Sequence, residues 1–314
     1  MNNNAKYSKP GGGIPPRVVI WGTGQRYNEF RQRIRCAVDL GEMNVIGVTS
    51  DDNWYRSLDG FRFIPKLELM AVPFDYVLVA ESGTAFQKAR QEYASLGGER
   101  EKLLVIDVLN ASGFTFPQYV ELYRSKLTII ANECWGGLTY HRLHLEFRTP
   151  LINMFELDEE YLDLLRDFDR RIKLPLEYVR DEHEAIHDID YPVFSLGGTL
   201  LHMNHYPDRA QAIAQWKARV PRINYENRLW VMVTERQDMA EQFEELPYEK
   251  KVCFTSFPTD LPSAMYVKPY GVCTEHLGRG LFWERINGMA SEKYPFYDVY
   301  ELLVHGRKCY RAES

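Results

Sequence analysis

An α/β fold with mainly parallel sheets is predicted by three observations. Short apolar, β-branched runs alternate with segments of helical period along most of the chain. The run at residues 18–21 stops at Gly22-Thr23-Gly24, and the run at residues 127–131 feeds Asn132-Glu133-Cys134-Trp135-Gly136-Gly137. Glycine turns that follow strands mark the carboxyl edge of a parallel sheet, where such folds place ligands and chemistry.

Residues 1–16 are rich in Asn, Lys, Gly and Pro and read as a disordered tail without the apolar core of a signal peptide. Residues 17–21 begin the first strand. Residues 30–40 carry Phe30, Ile34, Ala37 and Val38 at helical spacing, and residues 44–49 form a second strand ending at Ser50-Asp51-Asp52. Strands at 74–80 and 103–108 flank a helix at 86–96, and a helix covers 116–123. The second half continues with a strand at 127–131 and a helix at 138–147 bearing His141, His144 and Glu146. A charged amphipathic helix covers 158–172, and another covers 208–220 with Asp208 as its N-cap. Strands at 229–234, 251–255 and 263–267 enclose a helix at 237–245. The alternation implies two Rossmann-like domains, residues 17–126 and 127–314.

The chain has 314 residues, with 45% hydrophobic, 26% charged and a net charge of −6. A sequence-independent nucleic-acid binder needs a basic surplus, so nucleic acid is excluded as a partner. No run of about 18 apolar residues is present, which predicts no membrane span. Five cysteines, an odd number without a CxxC pair, point to reduced thiols and a cytoplasmic protein.

Gly22, Thr23 and Gly24 expose backbone N–H groups to an anion at a helix start. Asp51 and Asp52 stand where a ribose-binding acid sits. Tyr27 occupies the position of the third glycine in the dinucleotide fingerprint, so a tight turn without a ligand explains these residues equally well. The ligand class implied is nucleotide-containing, a sugar-nucleotide or CoA.

Cys134 is the candidate nucleophile, with a helix start that favours thiolate over thiol. It needs an imidazole from elsewhere, and His205, His202 and His141 are the candidates. Asn132 and the backbone of Gly136 and Gly137 supply donors for a substrate oxyanion or phosphate. Arg222, with Asn224 and Asn227, forms a polar loop suited to an anionic group. The competing reading of Cys134 is a small hydrophobe packed beside glycines. His183-Glu184-Ala185-Ile186-His187 matches a zinc-hydrolase pattern, which requires a helix; acids crowd it and Pro192 follows, so no metal is assigned.

Residues 17–110 resemble the small Rossmann-like domain at the front of bacterial sugar acyltransferases. The likeness rests on Gly22-Thr23-Gly24, Val45-Ile46-Gly47-Val48 with Asp51-Asp52, Ile64-Pro65-Lys66-Leu67-Glu68-Leu69 and Phe74-Asp75-Tyr76-Val77-Leu78-Val79-Ala80. Residues 128–268 resemble an uncharacterised bacterial family linked to exopolysaccharide and other surface-glycan biosynthesis. The matching pieces are Asn132-Glu133-Cys134-Trp135-Gly136-Gly137, Thr149-Pro150-Leu151-Ile152-Asn153-Met154-Phe155, Tyr191-Pro192-Val193, His205-Tyr206, Trp216 with Lys217 and Arg219, Arg222-Ile223-Asn224 with Asn227, and Lys251-Val252. Leu196-Gly197-Gly198-Thr199 departs from the Leu-Gly-Asp-Ile of that pattern. The resemblance implies a transferase that moves an acyl or other activated group onto a sugar or sugar-nucleotide. A non-enzymatic sugar-nucleotide-binding or scaffold subunit is one alternative and a zinc-dependent hydrolase using His183, Glu184 and His187 is another; a homo-oligomer is compatible with each.

Overall fold

The computed structural model describes residues 14–51, 56–184, 188–268, 280–291 and 296–310. The expected tail over residues 1–16 therefore lies, up to residue 13, outside the described residues. Two compact units divide the chain between Glu121 and Leu122, a few residues before the boundary expected from sequence. The α/β class holds in both.

The first unit runs β1 (Arg17–Trp21), α1 (Gln25–Asp39), β2 (Asn44–Thr49), the small pair β3 (Ser57–Leu58) and β4 (Phe61–Arg62), β5 (Tyr76–Val79), α2 (Gly83–Ser95) and β6 (Leu103–Val105). Helix α3 (Phe116–Ser125) crosses the boundary. The sheet is parallel with order β2-β1-β5-β6. Val18, Val19, Ile20, Val77, Leu78 and Val79 are sealed from solvent, which is why these strands read as unbroken apolar runs rather than alternating ones. Helix α1 begins well before residue 30 because its first residues, Gln25 and Arg26, are polar. Only its buried side, Tyr27, Phe30, Ile34 and Ala37, writes a hydrophobic period.

The second unit contains β7 (Thr128–Ala131), α4 (Trp135–Arg142), α5 (Asp158–Arg166), α6 (Phe168–Arg171), β8 (Glu177–Glu184), β9 (Ile189–Leu196), β10 (Thr199–His202), α7 (Arg209–Arg219), β11 (Arg228–Thr234), α8 (Gln237–Glu244), β12 (Lys251–Thr255), β13 (Ala264–Tyr266), α9 (Gly280–Ser291) and α10 (Val299–His305). Strands β13-β12-β11-β7 form a parallel sheet. Strands β10-β9-β8 form an antiparallel one, which corrects the expectation of mainly parallel pairing here. Strand β8 is a mostly exposed edge rich in acidic residues, so no apolar run announces it. The expected helix over 158–172 is broken at Asp167, whose backbone leaves the helical region.

Gly197 and Gly198 make the two-residue turn between β9 and β10, both at positive φ (59° and 98°). A Cβ at Gly197 would meet Leu174 at 2.6 Å, whereas Gly198 faces open space. The Asp of the Leu-Gly-Asp-Ile pattern thus corresponds to Gly198 at a turn position of positive φ, and its Ile to Thr199, the first residue of β10. Asp208 caps α7 as expected, accepting from the Gln211 N–H at 2.8 Å. Adjacent lysines brace two helix ends at β12. Lys250 Nζ donates to the carbonyls of Leu303 (2.6 Å) and Val304 (3.1 Å), and Lys251 Nζ to that of Leu246 (2.8 Å). No helix among the described residues is long and apolar enough to cross a membrane.

Beyond the last paired residue of β7, Asn132 takes over the ladder. Its Nδ2 donates to the Val233 carbonyl (3.1 Å) and its Oδ1 accepts the Val233 N–H (2.9 Å), with the side chain fully buried. Its backbone carbonyl accepts from the Glu156 N–H at 3.3 Å. Asn132→Ala leaves a buried donor and acceptor on β11 unpaired, which costs about 3 kcal/mol. Chemical denaturation of the variant checks this; a loss below about 0.5 kcal/mol, the size of an ordinary surface change, would contradict it.

Candidate active site

Helix α4 starts at Trp135, three residues before the expected start, so Gly136 and Gly137 belong to its first turn rather than to a separate loop. The reason is close packing on β7. A Cβ at Gly136 would lie 3.2 Å from Ile129 Cγ2 and 3.4 Å from Ala131 Cβ. The Tyr140 hydroxyl accepts the Ile129 N–H and donates to the Leu127 carbonyl, both at 2.9 Å. Trp135 is buried, its ring 5.4 Å from that of Phe254. These contacts hold Cys134 at the N-cap of α4.

The opposite wall is built by two segments that run alongside each other. Phe155 and His202 exchange backbone hydrogen bonds (3.0 and 3.1 Å), and the His205 N–H donates to the Asn153 carbonyl (3.3 Å). Asn153 adopts φ +63°, a left-handed conformation that Asn tolerates. Arg219 donates to the Tyr206 hydroxyl (2.6 Å), which donates to the Ile152 carbonyl (2.8 Å). The result carries His205 Nε2 to 3.7 Å from Cys134 Sγ, across 71 residues of sequence.

The pair opens on a cavity of about 450 Å³, lined by Leu138, Phe147, Leu151 and Ile152 together with Glu133, Gly137, His141 and Asn153. Cys134 is half-buried, and His141 and His205 are exposed. Burial, reinforced by Glu133 and Glu156, pushes the Cys134 thiol up to about 12. The expectation of a resting thiolate is therefore corrected: desolvation outweighs the helix start. Burial likewise pushes the Glu133 carboxyl up to about 8, with Asp158 adding to the rise and the Cys134 N–H opposing it. Glu156, 3% exposed, is raised well above the ordinary range by burial and then by Glu133 and Glu160. Neither of its carboxyl oxygens has a hydrogen-bond partner among the described residues. At pH 7 the Glu133 carboxyl next to Cys134 is thus protonated.

Of the residues expected in the second half, Cys134, His205, His141 and Gly137 share the cavity; the others do not line it. Gly136 is buried under α4. Asn132 is a structural clamp, its amide spent on β11. His202 is 5% exposed, stacked on Phe155 (4.8 Å), with Nδ1 3.1 Å from Glu182 and Nε2 3.5 Å from Glu160. Arg222, Asn224 and Asn227 precede β11 and so stand at the amino edge of a parallel sheet, opposite to the edge that bears Cys134. Asn224 and Asn227 both donate to the Ser125 carbonyl there (3.2 and 3.0 Å), tying the loop to the start of β7. His183 and Glu184 lie on strand β8, where adjacent side chains face opposite ways, so the helical geometry of the zinc pattern is absent; His187 lies outside the described residues.

In the first unit, Gly22, Thr23 and Gly24 follow β1, whose neighbours β2 and β5 mark the reversal of strand order. Gly22 has φ +103°, and a Cβ there would lie 2.6 Å from Glu81 Oε1, so glycine is required. Asp51 is paired with Lys66 and, at 3.4 Å, with Lys88; the Lys66 hydrogen bond holds its carboxyl below the usual range. Asp52 lies outside the described residues. Sequence reasoning passed over Glu133, Glu156, Phe147 and Asn153. Glu133 alone carried a signal, an acid wedged between a β-run and the candidate nucleophile.

A thiol and an imidazole at the carboxyl end of a parallel strand, beside a cavity, define an α/β protein with a candidate covalent-catalysis site. The chain belongs to the family described as "Domain of unknown function (DUF1919)", matched over residues 105–298. Residues 15–104 match a "C2185-like, N-terminal" model. An uncharacterized protein of Haemophilus influenzae is 30% identical over 155 residues, spanning 48% of this chain and 72% of that protein.

Because Glu133 keeps its proton in the folded protein up to about pH 8 but loses it near 4.5 when unfolded, the folded state binds more protons between those values. Stability therefore falls as pH rises through this window. Melting temperatures from pH 5 to 8 are expected to fall less steeply in Glu133→Gln than in the unsubstituted protein; parallel slopes would contradict the assignment.

Proposed function

We propose that this protein is a group-transfer enzyme of surface-glycan biosynthesis, acting in the cytoplasm, with Cys134 as nucleophile and His205 as its base. The observation that carries this reading is the 3.7 Å approach of Sγ to Nε2 at a cavity. With its proton on Nδ1, His205 accepts from the thiol as sulfur attacks, so no free thiolate need accumulate. The bond to the donor's leaving group breaks, and the His205 imidazolium returns its proton to it. A sugar hydroxyl then attacks the covalent intermediate, His205 takes its proton, and the thiol is restored. His141, on the same cavity, faces the entering acceptor.

The first unit suits a Rossmann-like role, in which Gly22, Thr23 and Gly24 cradle the nucleotide of a sugar-nucleotide or CoA at the reversal of strand order. That turn also favours a second reading, a non-catalytic sugar-nucleotide-binding subunit. A thermal-shift screen over nucleotides, sugar-nucleotides and CoA thioesters identifies the ligand through its stabilisation of the folded state, and turnover divides the two readings. Cys134→Ala is expected to abolish turnover. His205→Ala is expected to lower it about 10²–10⁴-fold, with melting temperature little changed in both. Full activity in either variant would overturn the chemical assignment.

A further inference from the structure

Among the described residues, the lining of the Cys134 cavity contains four apolar side chains, Leu138, Phe147, Leu151 and Ile152, and neither lysine nor arginine. A transferred phosphoryl or sugar-phosphate group in such a place would lose its hydration without a cation in return. An uncharged chain would gain from the same walls. The volume, about 450 Å³, is in the range of small-molecule sites. Two of the ionisable lining residues stand at the sulfur: Glu133 precedes Cys134 in the chain, and His205 lies 3.7 Å from Sγ; the third, His141, is exposed on the last turn of α4.

We infer that the group carried on Cys134 is an acyl chain with an apolar tail, delivered as a thioester. This rests on the transferase reading above and specifies what is transferred. In the first step Sγ attacks the thioester carbonyl, His205 Nε2 takes the thiol proton, and the carbon–sulfur bond to the donor breaks. The donor leaves as a free thiol carrying that proton, and the acyl group remains as a thioester on Cys134. An acceptor hydroxyl then forms an ester while the proton returns to Sγ through His205. No oxidant or reductant enters. The tail occupies the space between Leu138 on α4 and the Leu151–Ile152 wall, while the polar carrier of the donor stays outside the cavity.

The test uses the full chain and N-acetylcysteamine thioesters with acyl groups of two, four, six and eight carbons. Intact mass and peptide mapping would follow acylation, and neutral hydroxylamine would confirm a thioester. The expected result is an adduct at Cys134, absent in Cys134→Ala. Its rate of formation rises with chain length, by up to about fourfold for each methylene that becomes buried, until the wall is reached. Leu138→Trp, which fills the cavity from α4, is expected to flatten that rise, and Leu138→Ala is expected to extend it. Acylation at one rate for all lengths would overturn the apolar class while leaving covalent transfer standing. Absence of any adduct, alongside Cys134-dependent turnover of another donor, would overturn the inference alone. Absence of both would remove the transferase reading as well.

Discussion

Asn132 closes the end of β7 against β11 with both halves of its amide, and three separate parts of the site hang on that closure. The next two residues are Glu133 and Cys134, so the direction in which the chain leaves the sheet is set by a side chain that completes the ladder. The Asn132 carbonyl meanwhile accepts from Glu156, which anchors residues 152–156. Those residues bridge to His202 and hold the His205 turn. One buried residue is thereby common to the nucleophile, its acidic neighbours and the imidazole. A buried amide with every group satisfied is costly to replace, because each partner left behind has no water to turn to.

The electrostatics follow from the same packing. Glu133 and Glu156 are drawn out of water, and Glu133 raises Glu156 further. The cheapest state is the protonated one, and it keeps the surroundings of Cys134 uncharged. A neutral thiol beside an imidazole suits transfer in which the proton moves with the attack. A standing ion pair would need a site less desolvated, or with positive rather than acidic neighbours. The same absence of charge makes the cavity hospitable to apolar groups.

Much of the fold was legible because the parallel strands are buried on both faces and write continuous β-branched runs, as in Val18-Val19-Ile20 and Leu229 to Thr234. The Asp208 cap was legible for a local reason, a side chain bonding three residues on. Cys134 was found because strand, turn and helix adjoin in sequence. What escaped was set by topology. Arg222, Asn224 and Asn227 look like a ligand loop, yet they lead into β11 and so occupy the wrong end of the sheet, a fact no local pattern records. His202 and His205 are three residues apart, but one ends a buried strand between Glu160 and Glu182 and the other turns out to the cavity. The glycines after Cys134 suggested a loop because their intrinsic helix propensity is poor. Packing of α4 on Ile129 and Ala131 overrides that preference.

The central claim is that Cys134 is a protonated thiol that reacts through His205. The most direct measurement is the ultraviolet thiolate absorbance of the protein minus that of Cys134→Ala, titrated from pH 5 to 10. The account expects no Cys134 thiolate at pH 7 and a signal still rising at pH 10. A Cys134 thiolate signal already complete at pH 6–7 would reveal a preformed thiolate–imidazolium pair and contradict it.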